Sequence, residues 1–374
     1  MNRSTTPYFT ELREMIANQG GLFNAHLHLD RSGTFHETLK LIKNNQSEAS
    51  HLSLSRKHSI IPTIHSSECY ETDNLIERVS QYLDMMINVG TSRADTVVDV
   101  TNDNIKLRGL NALTSVKNKY KDKIDFRLGA YSPLGFREDE PESWKLIEEA
   151  ATYADFIGSL PERDDIKMYP DHIGFDESCK RSILLSIKLK KPLHIHLDQQ
   201  NHHYENGTER FLETALSLEI PVNRLKEPYI WLVHVISPST YEEDRFQKII
   251  DQLAKLNIGV ICCPSAAISM RQIRTLNSPT YNSIARILDM LAAGIWVRVG
   301  SDNICDITSP AGTIDLVDEL FVLCNAIRYY DLNIISKLGS GSKINEHERL
   351  GLIEHLAKDK QECLEVSKKY ISNE

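Results

Sequence analysis

Residues 22–30 read Leu-Phe-Asn-Ala-His-Leu-His-Leu-Asp, an apolar run that carries two histidines one residue apart and ends on a carboxylate. A β-rich run this short, bounded by turn residues, predicts a strand over 22–28. Seven more runs of the same character lie at 96–100, 126–131, 156–160, 193–197, 230–235, 259–263 and 296–300. Their near-continuous hydrophobicity suits strands buried on both faces, as in a parallel sheet covered by helices. Between them lie stretches with helical spacing. In 73–88 the apolar residues fall at 75, 76, 79, 82, 83, 86 and 87, and Gly90 follows as a stop. Further helices are expected at 142–153, 176–189, 208–218, 240–256, 283–293, 313–330 and 346–369. Eight strand–helix units in order predict an α/β fold, a (β/α)8 barrel, with little or no flanking β-sandwich.

The chain has 374 residues, 41% hydrophobic and 25% charged, which supplies a sizeable core and excludes a disordered or fibrous protein. No internal repeat, low-complexity tract or Pro/Gly-rich linker divides it, so residues 1–374 are expected to form one domain. The first crossover, 31–95, is about twice the usual length, and 36–70 is expected to fold over the barrel mouth as a lid. Residues 331–374 read as a helical C-terminal extension. Seven scattered cysteines without a CxxC pair indicate neither a disulfide framework nor a zinc ribbon, and fit a reducing cytoplasm. The N-terminus lacks the apolar core of a secretory signal, and no run approaches the about 18 apolar residues that span a bilayer. A net charge of -9 with no basic block argues against nucleic acid and favours a neutral or cationic small molecule over a polyanion. The expected partner is therefore a small-molecule substrate, with no membrane and with room for a homo-oligomer.

Residues two apart on a strand share a side, so His26 and His28 both face the barrel axis at its C-terminal end, where barrels of this type place their sites. An isolated H-x-H is more often structural. Here, however, strand five ends Pro192-Leu193-His194-Ile195-His196-Leu197-Asp198-Gln199, strand six ends Trp231-Leu232-Val233-His234, and strand eight ends Val299-Gly300-Ser301-Asp302-Asn303. Four strand ends thus deliver histidines and an aspartate to one rim. Divalent zinc or iron accepts this donor set with a position left for water. Strand four ends Gly158-Ser159-Leu160-Pro161-Glu162 without a lysine to bridge two metals, which favours a single ion.

The NAHLHLD motif at 24–30, with GTSRADTVVDV (90–100), ADFIGSLPE (154–162), LHIHLDQ (193–199), WLVHVIS (231–237) and GSDNICD (300–306), resembles the amidohydrolase superfamily. Within it the likeness is to the cytosine deaminase-like branch, which uses one metal ion. The resemblance implies Zn2+ or Fe2+ held by His26, His28, His196 and Asp302, with Asp302 and His234 as the catalytic pair. His234 is then the hydrogen-bond partner of the hydroxide. Asp302 takes a proton as that hydroxide attacks a trigonal carbon and returns it to the departing nitrogen. The same pattern selects His196, followed by x-Asp, and leaves His194 structural, one layer deeper.

Gln199 departs from the pattern, because many members carry a proton-shuttling Glu there and Gln can hydrogen-bond but not transfer a proton. Asp302 with His234 then does all the proton work, or Asp198, Glu162 or Glu68 substitutes, or the substrate needs no ring protonation. The expected activity is hydrolysis of a non-peptide carbon–nitrogen bond in a small polar, cyclic molecule, deamination first. Amide or cyclic-amide hydrolysis is the alternative; a metal-retaining, non-catalytic ligand-binding barrel is the alternative of another class. Candidate substrate contacts are Tyr131, Glu162, Asp198, Gln199 and Asn201. Arg163, among Glu162, Asp164 and Asp165, reads equally as part of a solvated charge cluster. Cys262 and Cys263 read as core.

Overall fold

In the computed structural model the eight runs form one parallel sheet, each strand beside its sequence neighbours. The strands are β1 (Leu22–Leu27), β2 (Thr91–Asp99), β3 (Asp125–Tyr131), β4 (Phe156–Ser159), β5 (Leu193–Leu197), β6 (Ile230–His234), β7 (Gly259–Cys262) and β8 (Val297–Val299). The structure describes residues 6–43, 45, 52–218, 220, 222, 227–270 and 284–371. Every residue of β1 and of β4 to β8 is buried, the reason these runs are apolar almost without interruption. β2 starts earlier than its apolar pattern, at Thr91. Its polar beginning is accommodated because Arg93 bonds Asp95 at 2.8 Å and lies 4.0 Å over the Phe23 ring.

β8 returns to β1 and nearly closes the barrel. Leu27 and Asp302 form a parallel bridge, and the Asp302 amide donates to the His26 carbonyl at 2.9 Å. Gly300 permits this approach: a Cβ there would sit 2.8 Å from the His26 nitrogen and 2.9 Å from its carbonyl oxygen. At the opposite, N-terminal end, Arg298 plugs the barrel floor. Its guanidinium lies 3.9 Å from the Trp231 ring and 4.9 Å from Phe23, and pairs with Glu227 at 2.5 Å.

Helices Thr72–Asn88, Pro141–Tyr153, Phe175–Leu189, Gly207–Ser217, Glu243–Leu256, Ile287–Ala292 and Leu316–Ile327 alternate with the strands. The stretch expected at 313–330 is shorter because Asp315 caps it, its side chain accepting from the Val317 amide, while Arg328 ends it in the left-handed conformation. The helix expected from 283 begins at Ile287, and residue 283 itself lies outside the described residues. Arg108–Tyr120 fills the β2–β3 crossover, and Leu332–Ser340 and Glu346–Ile371 follow the barrel. The first crossover contributes helices Phe35–Leu41 and Leu54–His65; of the span 36–70, residues 44 and 46–51 lie outside the described residues. No helix among the described residues is long and apolar enough to cross a membrane.

Candidate metal centre

The β1–β2 register is irregular between Asn24 and Leu27; Ala25 packs with Phe23 and Trp231, Leu27 and Leu29 enter the main core, and His26 and His28 turn to the axis. His196 from β5, His234 from β6 and Asp302 just past β8 meet them there. The Nε2 atoms of His26 and His196 are 2.9 Å apart, and Asp302 Oδ1 lies 3.2 Å from His28 Nε2 and 3.8 Å from His26 Nε2. One ring nitrogen from each of His26, His28 and His196 falls within 4.8 Å of the others. The His234 ring is centred 5.4 Å from His196 and 6.2 Å from His26. Backbone φ is positive at Asp198, His234 and Asp302 (57°, 78° and 59°), a conformation that non-glycine residues adopt at a penalty, often at functional sites.

Burial holds all four imidazoles uncharged at neutral pH. It carries His196 down to about 3 and His234 to about 4, and places His26 and His28 well below their ordinary value. His196 Nδ1 lies 3.0 Å from the Ser159 carbonyl, which fixes its hydrogen there and leaves the Nε2 lone pair facing His26. His26 Nδ1, His234 Nδ1 and Asp302 Oδ1 are buried without a hydrogen-bond partner. Neutral lone pairs and an unpartnered carboxylate oxygen converging on one point fit a divalent cation. His28 is the exception, because the Arg31 guanidinium lies against its Nδ1 where a ligating histidine ordinarily faces an acceptor. Arg31 has another partner within reach, its Nε being 3.4 Å from Asp99 Oδ2.

His28, His196, His234 and Asp302 line one cavity, and of the substrate-contact candidates Tyr131 and Gln199 line it with them. The others stand behind it. The Asp198 carboxylate accepts the amides of Gly207 (2.7 Å) and Thr208 (3.0 Å), tying β5 to the following helix. Glu162 accepts the Asp198 amide at 2.5 Å and the Gln199 side-chain amide at 2.9 Å. Burial and then Asp198 push Glu162 up to about 8; burial, Glu162 and Asp198 push Glu205 up to about 9. Asn201 is buried and accepts from Ser239 Oγ at 3.5 Å. Glu68 is exposed. His194 packs its ring 4.3 Å from Phe156, away from the metal-ligand candidates.

No family model matches the chain. An uncharacterised protein of Haemophilus influenzae is 24% identical over 292 residues, 78% of this chain and 98% of its own length. Among solved structures, 5-methylcytosine deaminase from Klebsiella pneumoniae liganded with 5-fluorocytosine superposes with a TM-score of 0.71 at 20% identity, over 85% of this chain and 74% of that one. The fold is the same. N-isopropylammelide isopropylaminohydrolase from Burkholderia multivorans (TM-score 0.64, 16% identity, 85% and 72% covered) shares this barrel fold. So does atrazine chlorohydrolase from Arthrobacter aurescens complexed with zinc (0.55, 15%, 84% and 65%).

The mouth of the barrel also contains residues that strand patterning does not single out. Arg31, Lys57 and His58 line the cavity. Arg31 directly follows the NAHLHLD motif, and Lys57-His58 sits in the crossover expected to cover the mouth, which is the signal available for them. Beneath, Asp30 Oδ2 accepts the Asp99 amide (2.8 Å) and the Tyr70 hydroxyl (3.0 Å), and His65 sits between Asp99 (3.1 Å) and Asp103 (2.6 Å).

Proposed function

We propose that the chain is a metal-dependent hydrolase of the amidohydrolase superfamily that cleaves a non-peptide carbon–nitrogen bond in a small polar, cyclic substrate, hydrolytic deamination being the leading reaction. The observation that carries this reading is the meeting of uncharged His26, His28 and His196 nitrogens with Asp302 Oδ1 at the C-terminal mouth of the barrel. These four residues would hold one divalent ion, zinc or iron; zinc is the ion in the Arthrobacter aurescens enzyme. When bound, such an ion lowers the pKa of water toward neutrality and polarises a substrate oxygen. Asp302 then accepts a proton during attack on the trigonal carbon and delivers it to the leaving nitrogen. His234, neutral and centred 5.4 Å from the His196 ring, offers its one ring N–H to the developing oxyanion.

Gln199 gives its amide hydrogen to Glu162, which turns its carbonyl toward the cavity. An acceptor there suits a substrate nitrogen that already carries hydrogen, and this keeps cyclic-amide hydrolysis as the second reading. The whole chain is read as one domain with helix Leu54–His65 as its lid, since Leu54, Lys57 and His58 line the cavity. The seven cysteines are all free, in support of a reducing cytoplasm. The test is turnover of the zinc- and iron-loaded protein on aminated heterocycles and cyclic amides. Ammonia released in step with turnover supports deamination, and a new carboxylate without ammonia supports amide hydrolysis. Bound metal, no turnover and a ligand that raises the Tm unconsumed would overturn the enzymatic reading.

A further inference from the structure

Two cations meet at the cavity mouth, Arg31 from the turn after β1 and Lys57 from helix Leu54–His65 itself. Both line the cavity, and Asp302, whose Oδ1 is directed at the uncharged His26 and His28 rings, is the sole carboxylate lining it among the described residues. Lys57 donates to the Thr308 carbonyl at 3.0 Å and has no ion pair among the described residues; burial depresses its pKa, opposed by the charge of the buried Asp306. Arg163 stands near enough to His58 to bear on its charge. Its guanidinium stacks 4.3 Å over Tyr169, its Nε is buried without a hydrogen-bond partner, and it too lacks an ion pair among the described residues. Elsewhere buried or half-buried arginines close on carboxylates: Arg13 on Asp315, Arg93 on Asp95, Arg245 on Glu209 and Arg298 on Glu227. Against the cost of burial, Arg31 itself is held charged by Asp99, Asp30 and Asp306, and its Nε is buried without a hydrogen-bond partner, 3.4 Å from Asp99 Oδ2. His58, between these cations, is uncharged: burial first, then Arg31, Arg163 and Lys57, bring it to about 3. It adds a neutral hydrogen-bonding ring to the wall.

We propose that this wall is an oxyanion subsite: besides its scissile carbon–nitrogen bond the substrate carries an acidic group, carboxylate or phosphate, seated between Arg31 and Lys57 with Arg163 behind. The inference rests on the same cavity being the substrate site. It names a substrate of opposite charge to the one the whole-chain charge favours, because a ligand in a low-dielectric cleft responds to the charges lining it rather than to the sum over the surface.

Calorimetric titration of the zinc-loaded protein with succinate, inorganic phosphate and the neutral succinamide tests it. Both anions, or one of them, are expected to bind at least tenfold more tightly than succinamide. That binding is expected to weaken about tenfold in Lys57→Met and in Arg163→Met, and to be restored in Lys57→Arg and Arg163→Lys, with the Tm confirming that each variant is folded. Preference for succinate identifies a carboxylate, and preference for phosphate a phosphate ester. Anions that bind no better than succinamide, or whose binding ignores both Met substitutions because the metal alone holds them, would overturn the subsite. The arms separate from those of the preceding section. Turnover of neutral heterocycles by a protein that ignores both anions sinks the subsite alone, whereas charge-dependent anion binding to a chain that retains no zinc sinks the metal reading alone.

Discussion

At the scale of single residues, His196 shows how a neighbour prepares a ligand: the Ser159 carbonyl takes the Nδ1 hydrogen and the Nε2 lone pair is left for the centre. Removing such a ring leaves too few donors, so His26→Ala and His196→Ala are expected to purify with little zinc after dialysis, measured by elemental analysis against wild type. Asp302→Asn keeps an oxygen donor but cannot take a proton. It is expected to retain part of the zinc and lose at least about 100-fold in kcat; undiminished turnover would reject the proton path. The H-x-H and H-x-D patterns made these positions legible, because alternation along a strand is written directly in the sequence. Arg31, Lys57 and His58 were not legible as cavity residues. Their place follows from how a crossover packs over the barrel, and no local period records that.

Elements come next. Helix Leu54–His65 is fastened to β2 through His65, whose rings of contact are the buried Asp99 and the half-buried Asp103. Burial alone would lower the His65 pKa, but hydrogen bonds to Asp103 and Asp99 raise it to about 9. A folded-state value above the unfolded one gives stability that is whole below about pH 6.5 and is lost as the pH climbs through 9. The Tm is therefore expected to fall across that interval, and the His65 contribution to this fall to vanish in His65→Gln. Closure of the sheet depends on Gly300, where a methyl would press on the His26 backbone. Gly300→Ala is expected to cost about 1–3 kcal/mol in denaturant unfolding and to weaken zinc retention, because β8 carries Asp302. All eight strands announced themselves through apolar runs; β8, read at 296–300, is only three residues long because closure ends its ladder at Asp302. The six-residue helix Pro264–Ser269 is too brief to display a helical period, whereas Ile287–Ala292 lies within the stretch read as helix at 283–293.

For the whole molecule, the order of eight apolar runs was enough to read a parallel barrel, since a sheet buried on both faces leaves that imprint along the chain. Charge was read less well. The sum of -9 is taken over the whole chain, while the cavity wall keeps Arg31 and Lys57. A total cannot report a local field. Polar residues inside the barrel were equally hidden: Arg93 and Arg298 look like surface charges until their partners Asp95 and Glu227 are in view.

The Arg298 plug has a kinetic corollary. With Trp231 and Phe23 packed about that guanidinium, side chains fill the floor, and whatever enters between Lys57 and Gln199 is expected to leave by the same door. Outgoing and incoming molecules then exclude one another. Initial-rate measurements with added product are expected to raise the apparent KM while leaving kcat unchanged; a reduced kcat at saturating substrate would reveal a second route through the protein.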